Sequence, residues 1–308
     1  MSGILIFSEN NATALELLTA GLGLKATMNQ PLCAVALAEE DAAALAAAGA
    51  DKVILLKGRD WPEGYAQPIA ELAAKDLAAV ILIGGTARGK DIAAKVADGL
   101  DAGLVTEAQT IEIVDDKLQT TRLKYGGLAV ASEATVLPAV VTVAPRTFDK
   151  ATAAGGQGQI ISLDTADGDP RVKVSDLCPI ERQGVDIAAA ARIVCVGRGL
   201  SQKEDLALAE DLAKALTAEI GCTRGIAEDY HWLPVERYIG ISGQKVKPEV
   251  YLSLGVSGQV QHVAGIRDSK IIVAVDSNEK APIFEAADYG IVGDLYEVAP
   301  LLTAAFKK

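Results

Sequence analysis

The residue types that do chemistry at useful spacings concentrate beyond residue 190. Gly197-Arg198-Gly199 follows an apolar run. Glycines there let backbone N–H groups approach a phosphate, and a guanidinium grips it with two donors. The dinucleotide fingerprint needs a third glycine at position 202, which is Gln, so the NAD-dehydrogenase motif fails on spacing. What remains is an anion-holding turn or an ordinary tight turn. Two near-copies, Gly240-Ile241-Ser242-Gly243-Gln244 and Gly255-Val256-Ser257-Gly258-Gln259, supply a pair of small-residue loops bearing hydroxyls. Glutamine in the last position of each breaks the Gly-x-Ser-x-Gly elbow and disfavours Ser-His hydrolysis. His231 and His262 are the two histidines. They lie far apart in sequence with no carboxylate at ligand spacing beside His262, which argues against a metal site. His262 is predicted to open a helix after the polar run Ser257-Gly258-Gln259-Val260-Gln261, which follows an apolar strand, and that arrangement points at a ligand. Arg224 follows Thr223 at a predicted strand end, where a surface ion pair is the ordinary role. Asp276 and Asp294 also end predicted strands, as ligand contacts or as helix N-caps.

The elements that must position these residues follow from composition and rhythm. The chain has 308 residues, half of them hydrophobic and only 4% aromatic, with abundant Ala, Val, Ile, Leu and Gly. That favours a parallel-sheet α/β protein over a β-sandwich. Strands are predicted at 3–8, 34–37, 52–56, 78–83 and 139–143, with helices at 12–24, 41–48, 67–75 and 91–100. The segments 110–114 and 118–123 read as a hairpin around Asp115-Asp116-Lys117. Residues 153–170 break the rhythm and read as connections, so the domain junction falls there or just after, up to about 186. A second series follows, with strands at 193–196, 220–223, 250–254, 271–275 and 290–292 and helices at 203–216 and 295–306. The expectation is two doubly wound parallel-sheet lobes, 1–185 and 186–308.

Charge and cysteine usage exclude some classes of partner. The net charge is −12 and the isoelectric point is near 4.7, so no nucleic-acid partner is expected, because phosphate neutralisation needs a basic face. The longest apolar runs have strand length, which argues against membrane insertion. The N-terminus enters a strand without a basic leader. Cys33, Cys178, Cys195 and Cys222 form no Cys-x-x-Cys pair, which favours reduced thiols and a cytoplasmic location.

Read together, the stretch Tyr251-Leu-Ser-Leu-Gly-Val-Ser-Gly-Gln-Val-Gln-His262, with Ala264-Gly265 and Ser269, resembles the signature of electron-transfer flavoprotein α subunits. Ala281-Pro-Ile-Phe284, Ala287-Asp-Tyr-Gly-Ile-Val-Gly-Asp294, Gly197-Arg198-Gly199-Leu200 and Thr223-Arg224 continue it, as do Gly89-Lys90-Asp91 and Tyr125-Gly126-Gly127 upstream. The resemblance covers essentially the whole chain. Glu236-Arg237-Tyr238-Ile239-Gly240 is most similar to the anaerobic and nitrogen-fixation-associated branch.

The resemblance implies a Rossmann-like C-terminal lobe holding one FAD, and an N-terminal lobe packing with a β subunit that carries AMP or a second FAD. It implies an electron carrier between a flavin dehydrogenase, such as acyl-CoA dehydrogenase, and a ferredoxin or quinone-linked acceptor. Oxidoreductase activity of its own is expected only of a bifurcating heterodimer using NADH. By matching motifs, Arg198 and residues 257–262 would hold the diphosphate and ribityl region, and Asp276 and Asp294 the adenosine side. Arg224 would lie against the isoalloxazine, Ser242 near N5 and His262 towards O2. Thr223, Ile239, Gly240, Ile241 and Leu295 complete the expected cofactor set. Charge and hydrogen bonds near N1, O2 and N5 are the levers by which a protein tunes a flavin. The chain departs from the family at Ile241, where an amide is common, and at Asp276, where asparagine is common and Asp stands two residues on. A non-redox nucleotide-binding regulatory module is the alternative.

Overall fold

The strand β1 (Gly3–Phe7) is apolar throughout and buried at every position, as expected of a strand covered on both faces. The structure, a computed structural model, describes residues 3–307 apart from 154, 166–168, 170, 177 and 179–185. After β1 the chain alternates α1 (Asn11–Met28), β2 (Leu32–Ala36), α2 (Glu39–Ala48), β3 (Lys52–Lys57), α3 (Ala66–Lys75), β4 (Ala78–Gly84) and α4 (Ala87–Leu100). Then come β5 (Gly103–Val105), β6 (Ala108–Val114), β7 (Lys117–Lys124), β8 (Ala129–Val136), β9 (Ala139–Val143) and β10 (Gln159–Asp164).

Helix starts follow local chemistry. The Asn10 side chain accepts from the Thr13 N–H at 3.2 Å to begin α1, and Thr86 accepts from the Gly89 N–H at 2.8 Å to begin α4. Capping by Thr86 explains why α4 begins at Ala87 rather than at the expected 91. The Gly84-Gly85-Thr86 turn is thus a helix cap.

Seven parallel strands form one sheet in the order β10-β3-β2-β1-β4-β9-β5. Alternate residues of β1 serve opposite faces: Ile4 and Ile6 pack with Leu17, Leu18 and Leu45, while Leu5 and Phe7 pack with Ile69, Ile92 and Val96. Each such aliphatic side chain contributes roughly 1.5–3 kcal/mol on burial. The predicted hairpin is present as β6 and β7, and β8 extends it to a three-stranded antiparallel sheet. The expectation of a plain connection over 153–170 is corrected: β10 pairs in parallel with β3, Ile160 opposite Val53.

The second series holds β11 (Arg192–Val196), α5 (Leu206–Leu216), β12 (Glu219–Cys222), β13 (Val250–Leu254), α6 (Val260–Ile266), β14 (Ile271–Asp276), α7 (Ile283–Ala286), β15 (Tyr289–Val292) and α8 (Leu295–Phe306). A single 3-10 turn at Lys203–Asp205 precedes α5 where a continuous helix was expected. All five strands pair in parallel, in the order β12-β11-β13-β14-β15. Val194 and Val196 face one core cluster, Ile193 and Cys195 the other. Both series are therefore doubly wound α/β lobes. The chain divides into the compact units Met1–Cys178 and Pro179–Lys308. The junction expected at 185/186 adjoins 179–185, which lie outside the described residues.

Candidate functional site: a cavity at the strand ends of the second unit

Strand order places a topological switch between β11 and β13, because the chain leaves β11 to β12 on one side and resumes with β13 on the other. In an open parallel sheet the crevice outside the strand C-termini at that point is where ligands bind. A cavity of about 740 Å³ opens there, of a size suited to a cofactor.

Its floor is built by two turns pressed together. The Gly197 N–H donates to the Leu254 carbonyl at 3.0 Å, the Gly199 N–H to the Gly255 carbonyl at 3.0 Å, and the Gly255 N–H to the Val275 carbonyl at 2.9 Å. A Cβ on Gly199 would lie 2.5 Å from the Gly255 Cα, so the turns meet only without side chains. Gly258 has φ +78°, and a Cβ there would lie 2.2 Å from the Ile283 nitrogen. Leu295, buried, packs its Cδ2 against this glycine pair.

Arg198 projects from the first turn into the cavity, exposed and without an ion-pair or hydrogen-bond partner among the described residues. An uncommitted guanidinium beside close-packed glycines is the chemistry a phosphate needs. Ser257, Gly258, Gln259 and Gln261 line the same cavity. Gln259 occupies the N-cap position of α6 without using its side chain to cap. Val260, which opens α6, is exposed and lies outside the lining.

At the β12 end, the Thr223 carbonyl accepts from the Ile226 and Ala227 N–H groups and starts a π-helical turn, Gly225–Asp229. π turns often mark functional sites. Arg224 lines the cavity beside it, and its Nε donates to Glu228 Oε2 at 2.5 Å.

The loop after Tyr238 folds back on α6. The Ile241 N–H donates to the Gln261 carbonyl at 2.9 Å, and the Gly240 N–H to the Gln244 carbonyl at 3.1 Å. Ser242 lines the cavity with its Oγ 2.9 Å from the Tyr238 hydroxyl. Ile241 itself turns outward and, like Gly240, is not in the lining, whereas the wholly buried Ile239 is. The two near-copy loops of the sequence therefore converge on one cavity.

His262 is buried, with Nδ1 3.0 Å from the Ile239 carbonyl and Nε2 2.7 Å from the Tyr251 hydroxyl. Burial pulls its pKa down to about 4, opposed by the bond to Ile239. The ring is neutral at pH 7.

Asp276 and Asp294 line the far end. The Asp276 Oδ1 accepts from the Asn278 N–H at 2.9 Å, and the Asp294 Oδ1 caps α8 by accepting from the Tyr296 N–H at 2.9 Å. Each of these bonds engages one of the two carboxylate oxygens. Sequence reasoning missed Gly225, Asp229, Tyr238 and Ser277 as lining residues. Ser277, beside Asp276 at a strand end, carried a positional signal; Tyr238 and Asp229 carried none, since only the fold-back of the loop and the π turn aim them inward.

The lining suits FAD on its own chemistry: a free guanidinium with a glycine cradle would match a diphosphate, carboxylates would match ribose hydroxyls, and a second arginine would match a ring that becomes anionic on reduction. Among the described residues no group of His, Cys, Asp and Glu is placed to hold a metal ion, and all four cysteines are free thiols.

Comparison with known proteins identifies the family. Residues 6–168 match the model of the electron transfer flavoprotein domain, and residues 186–267 that of the electron transfer flavoprotein FAD-binding domain. Over 315 aligned residues the chain is 38% identical to the protein named Protein FixB of Escherichia coli O157:H7, covering 100% of this chain and 99% of that one. It is 40% identical over 258 residues to a putative electron transfer flavoprotein subunit, YdiR, of Escherichia coli K12, covering 80% of each. The chain belongs to the electron transfer flavoprotein family, as an α subunit.

Proposed function

We propose that the second unit binds FAD in this cavity and that the chain, paired with a β subunit, carries electrons from a flavin dehydrogenase to a downstream acceptor. The observation that supports it most is the convergence at one switch-point cavity of Arg198, the two glycine-serine loops and Arg224. Bound FAD would supply the one- and two-electron chemistry; the protein's part is to hold and tune it.

Arg198 and the backbone of 257–259 would grip the diphosphate. Asp276 and Asp294 would accept from hydroxyls of the adenosine half. Arg224 would place positive charge against the ring and favour its reduced, anionic form. Ser242, oriented by Tyr238, would present a hydroxyl to the ring edge.

The finer reading is a bifurcating heterodimer that splits the electron pair of NADH, one electron going to a low-potential ferredoxin and the other to a higher-potential flavin dehydrogenase or quinone-linked acceptor, with a second FAD in the β subunit. It rests on the Glu236-Arg237-Tyr238-Ile239-Gly240 resemblance. The experiment is reconstitution with the β subunit. Reduction by an acyl-CoA dehydrogenase supports the carrier. Ferredoxin reduction by NADH that requires the higher-potential acceptor to be present supports bifurcation, and its absence alongside competent acyl-CoA dehydrogenase coupling removes it. A complex that binds nucleotide but no flavin favours the regulatory-module alternative.

No helix among the described residues is long and apolar enough to cross a membrane. We infer a cytoplasmic site of action, supported by the free cysteines, three of them buried.

A further inference from the structure

His262 is held by partners from two different elements, and together they fix where its proton sits. The Ile239 carbonyl, 3.0 Å from Nδ1, only accepts hydrogen bonds, so Nδ1 carries the proton. The neutral ring then has a lone pair on Nε2, and the Tyr251 hydroxyl 2.7 Å away donates to it. The Cys195 thiol stands 4.0 Å from the same nitrogen. Tyr251 is fully buried in β13, and Ile239 belongs to the loop that presents Ser242. The imidazole therefore ties together the two loops that line the cavity.

We propose that Tyr251 is a positioning residue: its hydroxyl holds His262 as the neutral Nδ1–H form, so the histidine gives the cavity wall shape without charge. The groups facing the ring are the Tyr251 hydroxyl from β13, the Cys195 thiol from β11 and the Ile239 carbonyl. Burial pushes the tyrosine and the thiol up, so both stay protonated. No carboxylate bonds to the ring among the described residues. A donor to the Nε2 lone pair stabilises the neutral form, so removing that donor raises the histidine's affinity for a proton. Proton placement is a property of the protein alone. Its consequence for a flavin, a potential free of histidine-linked pH dependence, rests on the FAD reading above.

The test is long-range proton–nitrogen NMR of the full chain labelled with ¹⁵N-histidine, without flavin. With two histidines present, His231→Gln assigns the spectrum. The expected pattern for His262 is a protonated Nδ1 and a hydrogen-bonded, unprotonated Nε2, constant between about pH 5 and 8, the range in which an ordinary histidine titrates. Tyr251→Phe keeps the buried ring and should tighten proton binding at His262 by about tenfold or more, bringing its titration into that range. An Nε2–H tautomer or an imidazolium at pH 7 in the wild type would overturn the proposal, as would an unchanged titration in Tyr251→Phe. In the loaded heterodimer, the flavin midpoint potential should gain a pH break only in Tyr251→Phe. Failure to bind flavin would remove the FAD reading and leave the NMR result to decide on Tyr251.

Discussion

Arg224 Nε lies 2.5 Å from Glu228 Oε2, one turn further along the π-helical segment. The arginine proposed to stabilise the reduced ring is thus already shared with a carboxylate, and the pair sits partly in solvent. Glu228 sets how much of the positive charge a ligand feels. Glu228→Gln should raise the midpoint potential of bound flavin and Arg224→Ala should lower it. Each shift should be on the order of 30 mV, the two-electron equivalent of a tenfold change in preference for the reduced form. Redox titration at low salt reads both, and shifts of the same sign would refute the pairing.

Arg198 has no partner among the described residues, so its removal leaves no orphan behind. Arg198→Ala should weaken FAD binding about ten- to hundredfold, the loss expected for charge-assisted hydrogen bonds. The flavin spectrum at saturation should be unchanged. Equal retention of FAD through gel filtration would show that this arginine does not touch the cofactor.

Gly258 combines a left-handed backbone with contact against α7. Gly258→Ala adds strain of about 1–3 kcal/mol and forces the Ile283 backbone away. The melting temperature should fall and flavin retention with it, both measured by thermal scanning of apo and loaded protein. A full-affinity variant with wild-type melting would place the loop elsewhere.

His262 gives a pH signature with a defined sign. Its folded-state pKa, about 4, is below the ordinary 6.5 because burial opposes charge. The unfolded chain therefore binds more protons between those values, and stability rises with pH across that window. From about pH 6.5 down to about pH 4 the protein should lose on the order of 3 kcal/mol through this group. Denaturant titrations of wild type and His262→Gln across the window should differ in slope. Parallel slopes would mean that the imidazole is solvated.

Much of this site was legible because its signals are local. The near-copies Gly240–Gln244 and Gly255–Gln259 announced two loops of one kind, and Asp294 stood where either a ligand contact or a cap belongs. The cap role is observed. Long-range relations were not legible. Tyr251 pointed into an apolar strand and gave no sign that its hydroxyl meets a helix residue. The pairing of Arg224 with Glu228 is local, but it depends on a π turn that no periodicity marks. In the first unit, β10 lay hidden because Gln159-Ile-Ile-Ser-Leu-Asp164 stands among glycine and aspartate-rich segments. Its partner, β3, is about a hundred residues upstream. Every residue of β10 is exposed, so it lacks the buried signature of the central strands.

The central claim is that this chain holds FAD in the β11–β13 cavity, and co-purification with its β subunit tests it most directly. The visible spectrum and the extracted nucleotides of the heterodimer should show at least one FAD per complex. That FAD should be lost or loosened in Arg198→Ala. One FAD with AMP would identify a simple carrier, and two FAD would identify the bifurcating type. A colourless heterodimer that stays colourless when FAD is added would contradict the claim.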